Sequence, residues 1–172
     1  MDNKKLYEHV LLRSTGFIKK PTSPMDVTRI SNYVYLGNFQ NALDSPKSSV
    51  AYKYILNLTT KRYTLECSNA TIIHIPLVDD VNVDITKHLD SITDFLNKCE
   101  KHKEPVLVHC VAGVNRSGAI IMAYVMTKKN KDNIPTFIYF LHMYYEIKEL
   151  RGAFLENPSF RKQIIRKYVL SD

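Results

Sequence analysis

Residues Pro105 to Tyr124 hold a pattern that leaves the chain few ways to fold. An apolar run, Pro105-Val106-Leu107-Val108, stops at His109-Cys110, and a second apolar run, Gly118-Ala119-Ile120-Ile121-Met122-Ala123-Tyr124, opens just after Arg116-Ser117. The first reads as a buried strand and the second as a helix. The loop between them sets Cys110 and Arg116 six positions apart. A strand that turns this tightly into a helix aims successive backbone N–H groups at one point, and that point is a cradle for an anion. A cysteine beside a helix N-terminus, a ring of amides and a guanidinium is in a setting that favours thiolate over thiol. The planar fork of Arg116 suits two phosphate oxygens at once. The combination reads as a cysteine nucleophile, Cys110, facing a phosphoryl group bound by the amides of Val111, Ala112, Gly113, Val114, Asn115 and Arg116. A cysteine after a buried strand is most often an inert core residue, so it is the conjunction with Gly113, Arg116 and Ser117 that carries the reading. A nucleotide-cradling loop would end in Gly-Lys-Ser/Thr, and that ending is missing here.

The rest of the chain alternates. Leu6, Tyr7, Val10 and Leu11 form a helical stripe over residues 4–13, which Ser14-Thr15-Gly16 stops, and Lys19-Lys20-Pro21-Thr22-Ser23-Pro24 reads as a linker. Strand-like segments follow at about 27–30, 33–36, 54–58, 72–75 and 105–109. Ile85, Leu89, Ile92, Leu96 and Cys99 recur at helical spacing, which makes Cys99 a core residue rather than a reagent. Helices also fit about 117–130, 135–148 and 158–169, the last with Asn157 as N-cap and Pro158 in its first turn. Strands interleaved with helices imply an α/β layer structure around a central sheet.

Composition narrows the setting. With 172 residues the chain can bury one real core. Its longest apolar stretch, Ala119 to Met126, is far too short to span a bilayer, and the first residues carry no signal-peptide pattern. Three cysteines, Cys67, Cys99 and Cys110, show no metal-ligand spacing, so the expectation is no metal, no cofactor, no disulfide framework and a reducing compartment. The net charge of +7 would speed encounter with phosphorylated or acidic partners. Its densest run, Arg161-Lys162 to Arg166-Lys167, reads as the wet face of a helix. No recognised nucleic-acid motif accompanies the charge, so nucleic acid is not an expected partner.

The His109-Cys110-x-x-Gly113-x-x-Arg116-Ser117 stretch resembles the signature of the cysteine-dependent protein tyrosine phosphatases, in the dual-specificity branch. The resemblance covers about residues 25–170. Arg29 to Asn38 is similar to that branch's opening strand and turn, Tyr54 to Thr59 to its next buried strand, and Ile75-Pro76-Leu77-Val78-Asp79-Asp80 to its general-acid loop. Arg151 to Phe160 is similar to the approach to its closing helix, and Leu11 to Gly16 together with Pro105 to Cys110 points within it to the poxvirus virion phosphatases. The resemblance implies a central mixed, mostly parallel sheet flanked by helices, with an N-terminal helix outside the core.

It also implies roles. A proton donor must face the Cys110 nucleophile, and family spacing from Ile75 selects Asp79 over its neighbour Asp80, which is left to solvate or cap the loop. Ser117 would donate a hydrogen bond to the Cys110 sulfur, with helix capping as its plainer alternative. His109 would hold the loop through nearby backbone, and Asn115 would do so in a similar way. The expected activity is hydrolysis of phosphotyrosine and phosphoserine/phosphothreonine in proteins, because so short a chain lacks the segments that deepen the pocket of strict tyrosine enzymes. RNA 5′-triphosphatases and phosphoinositide phosphatases of related fold are the rivals. Phosphoinositide enzymes tend to carry lysines inside the loop, and RNA enzymes a threonine after the arginine and an early loop histidine. Here Val111, Ala112, Val114, Asn115 and Ser117 stand instead. The poxvirus resemblance further implies a virion enzyme acting in the host cytoplasm on viral proteins and on a host interferon-pathway transcription factor. The stripe in residues 1–20 could fold back onto the catalytic domain, residues 21–172, or pair two copies; the resemblance favours a homodimer.

Overall fold

The computed structural model describes residues 2–16, 22–130 and 133–171. Among the described residues five strands form one sheet: β1 (Thr28–Arg29), β2 (Val34–Gly37), β3 (Tyr54–Asn57), β4 (Thr71–His74) and β5 (Val106–His109). Their order is β1-β2-β5-β3-β4, with β1 antiparallel to β2 and all other pairs parallel. β5 lies in the middle, and all four of its residues are buried. That burial on both faces explains its continuous apolar spelling, as expected of a central parallel strand. Its neighbours end level with it: Gly37 and Asn57 both register with His109. The loop after β5 therefore leaves the sheet at the carboxyl edge, where chain direction diverges to either side and open α/β sheets bind ligands.

Among the described residues six α-helices accompany the sheet: α1 (Asn3–Ser14), which packs on the last helix, α2 (Phe39–Leu43), α3 (Thr86–Lys101), α4 (Arg116–Thr127), α5 (Thr136–Arg151) and α6 (Pro158–Tyr168). Side chains alternate along the central strands as period-two geometry requires. Val106, Val108 and Leu56 enter the large core with α3, α4 and α6, while Leu107 and Ile55 join a smaller one with Ala42 of α2 and Tyr52. Ten of the twelve residues of α4 are buried. A helix apolar on all sides belongs inside, and its position fixes the loop that feeds its N-terminus. α3 buries Leu89, Ile92, Leu96 and Cys99 on one face. Burial pushes the Cys99 thiol up to about 11, so it stays protonated and inert.

The sequence reading omits α2 and extends α4 past its end. α2 is only five residues long, too short for periodicity to register, and is started by a reciprocal cap between Asn38 and Asn41. α1 runs as expected and stops at the Ser14-Thr15-Gly16 signal, with Gly16 at φ +75°. The linker Lys19-Lys20-Pro21 lies outside the described residues.

α1 and α6 pack against each other. The stripe of α1 does not go under as a unit: Leu11 is buried in the main core, but Leu6 and Val10 are each 50% exposed. The basic run on α6 is a wet face only in part: the Arg166 side chain is 58% exposed, yet the run also makes ion pairs. Glu8 of α1 sits against Arg166 and Lys162, Lys167 meets Asp90 of α3, and Arg161 is buried, donating to the carbonyls of Leu155 and Glu156. The charges dock α1 and tie the last turn before α6.

Candidate active site

The loop from Cys110 to Arg116 folds so that its carbonyls face the protein. His109 Nδ1 lies 3.0 Å from the Cys110 carbonyl, Phe39 N–H donates to Val111 at 3.0 Å, and Leu155 N–H donates to Val114 at 2.9 Å. The Gly113 carbonyl accepts two bonds from Arg151, Nη2 at 3.0 Å and Nε at 3.2 Å. Among the described residues, no protein acceptor takes the amide N–H groups of Val111 to Asn115. Carbonyls pinned against the protein body leave the opposite ends of the same peptides turned to the concave side, which is how a backbone nest selects an anion. Gly113 makes this possible. Its φ is +69°, and a Cβ there would lie 2.6 Å from both the Gly37 carbonyl oxygen and Arg151 Nη2.

Cys110 sits at the base of the loop, 2% exposed. Its Sγ lies 3.1 Å from Ser117 Oγ, itself fully buried in the first turn of α4. The Ser117 hydroxyl thus faces the sulfur, and the N-cap of α4, Asn115, makes no side-chain cap bond. Arg116 Nη1 donates to the Leu77 carbonyl at 3.0 Å, while its buried Nε has no partner among the described residues. A buried guanidinium N–H without an acceptor is costly, and an oxyanion in the cradle would relieve it.

His109 is fully buried between two contacts. Tyr63 OH lies 2.7 Å from Nε2, and the Cys110 carbonyl takes Nδ1. A carbonyl can only accept, so Nδ1 carries the proton and Nε2 accepts from Tyr63. Burial, with a smaller contribution from the Arg116 charge, lowers His109 to about 4 and keeps it neutral, while burial raises the Tyr63 hydroxyl and keeps it a donor.

The acid loop reaches the same place. Asp79 Oδ2 accepts from Asn115 Nδ2 at 2.8 Å and Oδ1 from Asn157 Nδ2 at 2.9 Å. Asp80 instead turns back on its own loop and accepts from Asn82 N–H. Asn115, assigned by sequence to the support of its own loop, thus spans from that loop to the acid. Sequence reasoning missed Arg151, Tyr63 and the second contact of Asn157. Arg151 is 5% exposed and also donates to Thr28 Oγ1 and to the Asp26 and Leu36 carbonyls. Burial lowers it to about 10, still charged at neutral pH.

Against known proteins, residues 34–169 match the family model described as the dual specificity phosphatase catalytic domain. A dual specificity protein phosphatase of vaccinia virus (strain Western Reserve) is 59% identical over 170 residues, 99% of this chain and 98% of its own length. A probable dual specificity phosphatase of fowlpox virus is 50% identical over 169 residues, covering 98% of this chain and 100% of its own. The solved structure of an Orf virus tyrosine phosphatase, described as having triple substrate specificity, superposes with a TM-score of 0.89 at 40% identity, over 96% of this chain and 99% of that one. With its cysteine loop at the carboxyl edge of the sheet and a match along nearly its whole length, the chain belongs to the dual specificity phosphatase family.

Proposed function

We propose that the chain hydrolyses phosphotyrosine and phosphoserine/phosphothreonine in proteins through a phosphocysteine intermediate. The observation that carries this reading is the loop itself, with every anchored carbonyl turned into the protein and away from the cradle, and Cys110 Sγ at its base beside Ser117 Oγ. The Cys110 thiolate attacks phosphorus while the bond to the substrate oxygen breaks, and Asp79 gives that oxygen its proton. The loop amides and Arg116 balance charge on the phosphoryl oxygens in flight. Water then attacks phosphorus, Asp79 takes a proton from it, and the phosphorus–sulfur bond breaks. The Ser117 hydroxyl donates to the departing sulfur in that second step.

A substrate panel tests this: phosphotyrosine peptide, phosphoserine peptide, inositol phospholipid and triphosphate-ended RNA, each with EDTA and with Cys110→Ser as control. Activity confined to lipid or RNA removes the phosphoprotein reading, and EDTA-sensitive activity removes the thiolate mechanism. Those two classes stay in the panel because the Orf virus relative is described as having triple substrate specificity.

Kinship with the poxvirus enzymes supports a wider reading: a virion protein acting in the host cytoplasm on viral phosphoproteins and a host interferon-pathway transcription factor. Loss of phosphate from that factor on expression of the active chain, but not of Cys110→Ser, tests it. Residues 1–20 form the dimerisation segment of this reading and 21–172 the catalytic domain. Its support is the apolar surface that Leu6, Tyr7 and Val10 leave open on α1. An unchanged mass by light scattering after deletion of residues 1–20 would end the homodimer. Among the described residues no helix is long and apolar enough to cross a membrane.

A further inference from the structure

Asp79 lies on an exposed loop, where a short carboxylate side chain ordinarily samples several rotamers. Here each of its oxygens is held by a different amide, Asn115 Nδ2 on Oδ2 and Asn157 Nδ2 on Oδ1. Neither amide can turn round. Asn157 Oδ1 accepts from Ser159 N–H at 3.0 Å and Phe160 N–H at 3.2 Å, capping the N-terminus of α6. Asn115 Oδ1 accepts from the Asn157 backbone N–H at 2.9 Å. Reversing either side chain would set N–H against N–H, so the two NH₂ groups are committed to the carboxylate. The start of α6, the start of α4 and the acid loop are thus tied at one point, and the tie ends on the carboxylate.

We propose that Asn157 is a positioning residue which, with Asn115, fixes Asp79 in the rotamer that faces the leaving-group oxygen. The inference rests on Asp79 being the proton donor. A carboxyl group has about four lone-pair directions. The fork uses two of them, so a proton can reside on either oxygen and be handed on without breaking the fork. Asn157 does not touch the substrate; it removes rotational freedom that Asp79 would otherwise lose on the way to the transition state. Its capping oxygen and its positioning nitrogen are separate atoms, and substitution can separate their roles.

Asn157→Ser keeps an oxygen for the helix, since serine caps about as well as asparagine, and deletes the N–H that holds Asp79. The experiment measures kcat/KM across phosphate esters whose leaving groups range from strongly acidic phenols, which depart without a proton, to alkyl alcohols, which cannot. General acids contribute about 10²–10⁴-fold. Asn157→Ser should therefore lose roughly ten- to a hundredfold on the alkyl esters and less than about threefold on the most acidic phenols, the loss growing steadily with leaving-group basicity. Asp79→Asn should show the same trend more steeply. Should Asn157→Ser fold poorly, Asn157→Thr also keeps a capping hydroxyl, lacks the amide donor, adds no charge beside Asp79, and should give the same trend. Equal loss on all esters, or none, alongside a steep trend for Asp79→Asn, overturns the positioning role and leaves the proton donor standing. A flat profile for Asp79→Asn removes the donor assignment, and this inference falls with it.

Discussion

Arg151→Lys asks whether the anion loop is held open by a single guanidinium. The native side chain spans two structures: Nε and Nη2 hold the Gly113 carbonyl, while Nη1 holds Thr28 Oγ1 at 2.8 Å and the Leu36 carbonyl at 3.2 Å. A lysine has one nitrogen and cannot stand at both ends, so either the loop or the β1–β2 side loses its donor. A buried acceptor left without a partner costs about 1–3 kcal/mol, and bonds to charged groups are worth about 1.5–3 kcal/mol. The expected loss is therefore about 2–4 kcal/mol, with Arg151→Met at or above the top of that range. Activity should fall further than stability alone explains. A Gly113 peptide without its anchor is free to rotate its carbonyl toward the phosphate, and removing one preorganised donor from such a site typically costs about 10²–10³-fold in rate. Urea unfolding with an unchanged slope, read beside kcat/KM on a phosphotyrosine peptide, measures both. An Arg151→Lys protein with its native midpoint and kcat/KM within about threefold of native would refute this account of the loop.

Three other outcomes follow from the same geometry. His109 falls from 6.5 in the free residue to about 4 in the fold. The unfolded chain therefore binds the proton first, and stability present above pH 6.5 drains away as pH falls toward 4. At 1.36 kcal/mol per pH unit the contribution is roughly 3 kcal/mol, and urea unfolding of His109→Asn should lose that part of the pH slope. An unchanged slope would mean His109 is not held neutral. Ser117→Ala should slow breakage of the phosphorus–sulfur bond more than its formation, giving a pre-steady-state burst of released alcohol; a uniform slowing without a burst would contradict the Ser117 role. Gly113→Ala should cost at least about 1–2 kcal/mol from the positive φ alone, plus a displaced Gly37 or Arg151, and should cut phosphate affinity measured by competitive inhibition. Native inhibition by phosphate would show that the loop tolerates a Cβ.

Much of this arrangement is legible from residue order because the informative signals are local. The strand Val106–His109, the six-position spacing of Cys110 and Arg116, and the Asn157-Pro158 helix start are each encoded in a few adjacent residues. What stays hidden is what tertiary packing decides. Arg151 occupies the last turn of α5, where a basic residue is ordinary for its interaction with the helix dipole. Nothing local distinguishes a solvated arginine there from one buried against Gly113. Tyr63 lies 46 positions from His109, and its bond exists only because β3 pairs with β5. The basic run on α6 has the spelling of a solvated face, and only the arrival of Glu8 from α1 makes it a docking surface. Asn157 was readable as a cap from its Oδ1, but the partner of its Nδ2 is brought in from 78 positions away.

Rapid denaturing quench of a single turnover, followed by peptide mass analysis, tests the chemistry most directly. The account predicts a phosphate-bearing peptide containing Cys110, formed and consumed on the timescale of turnover, lengthened in lifetime by Ser117→Ala and abolished by Cys110→Ser. Full turnover with no phosphate on the protein, or with phosphate on a residue other than Cys110, would contradict it.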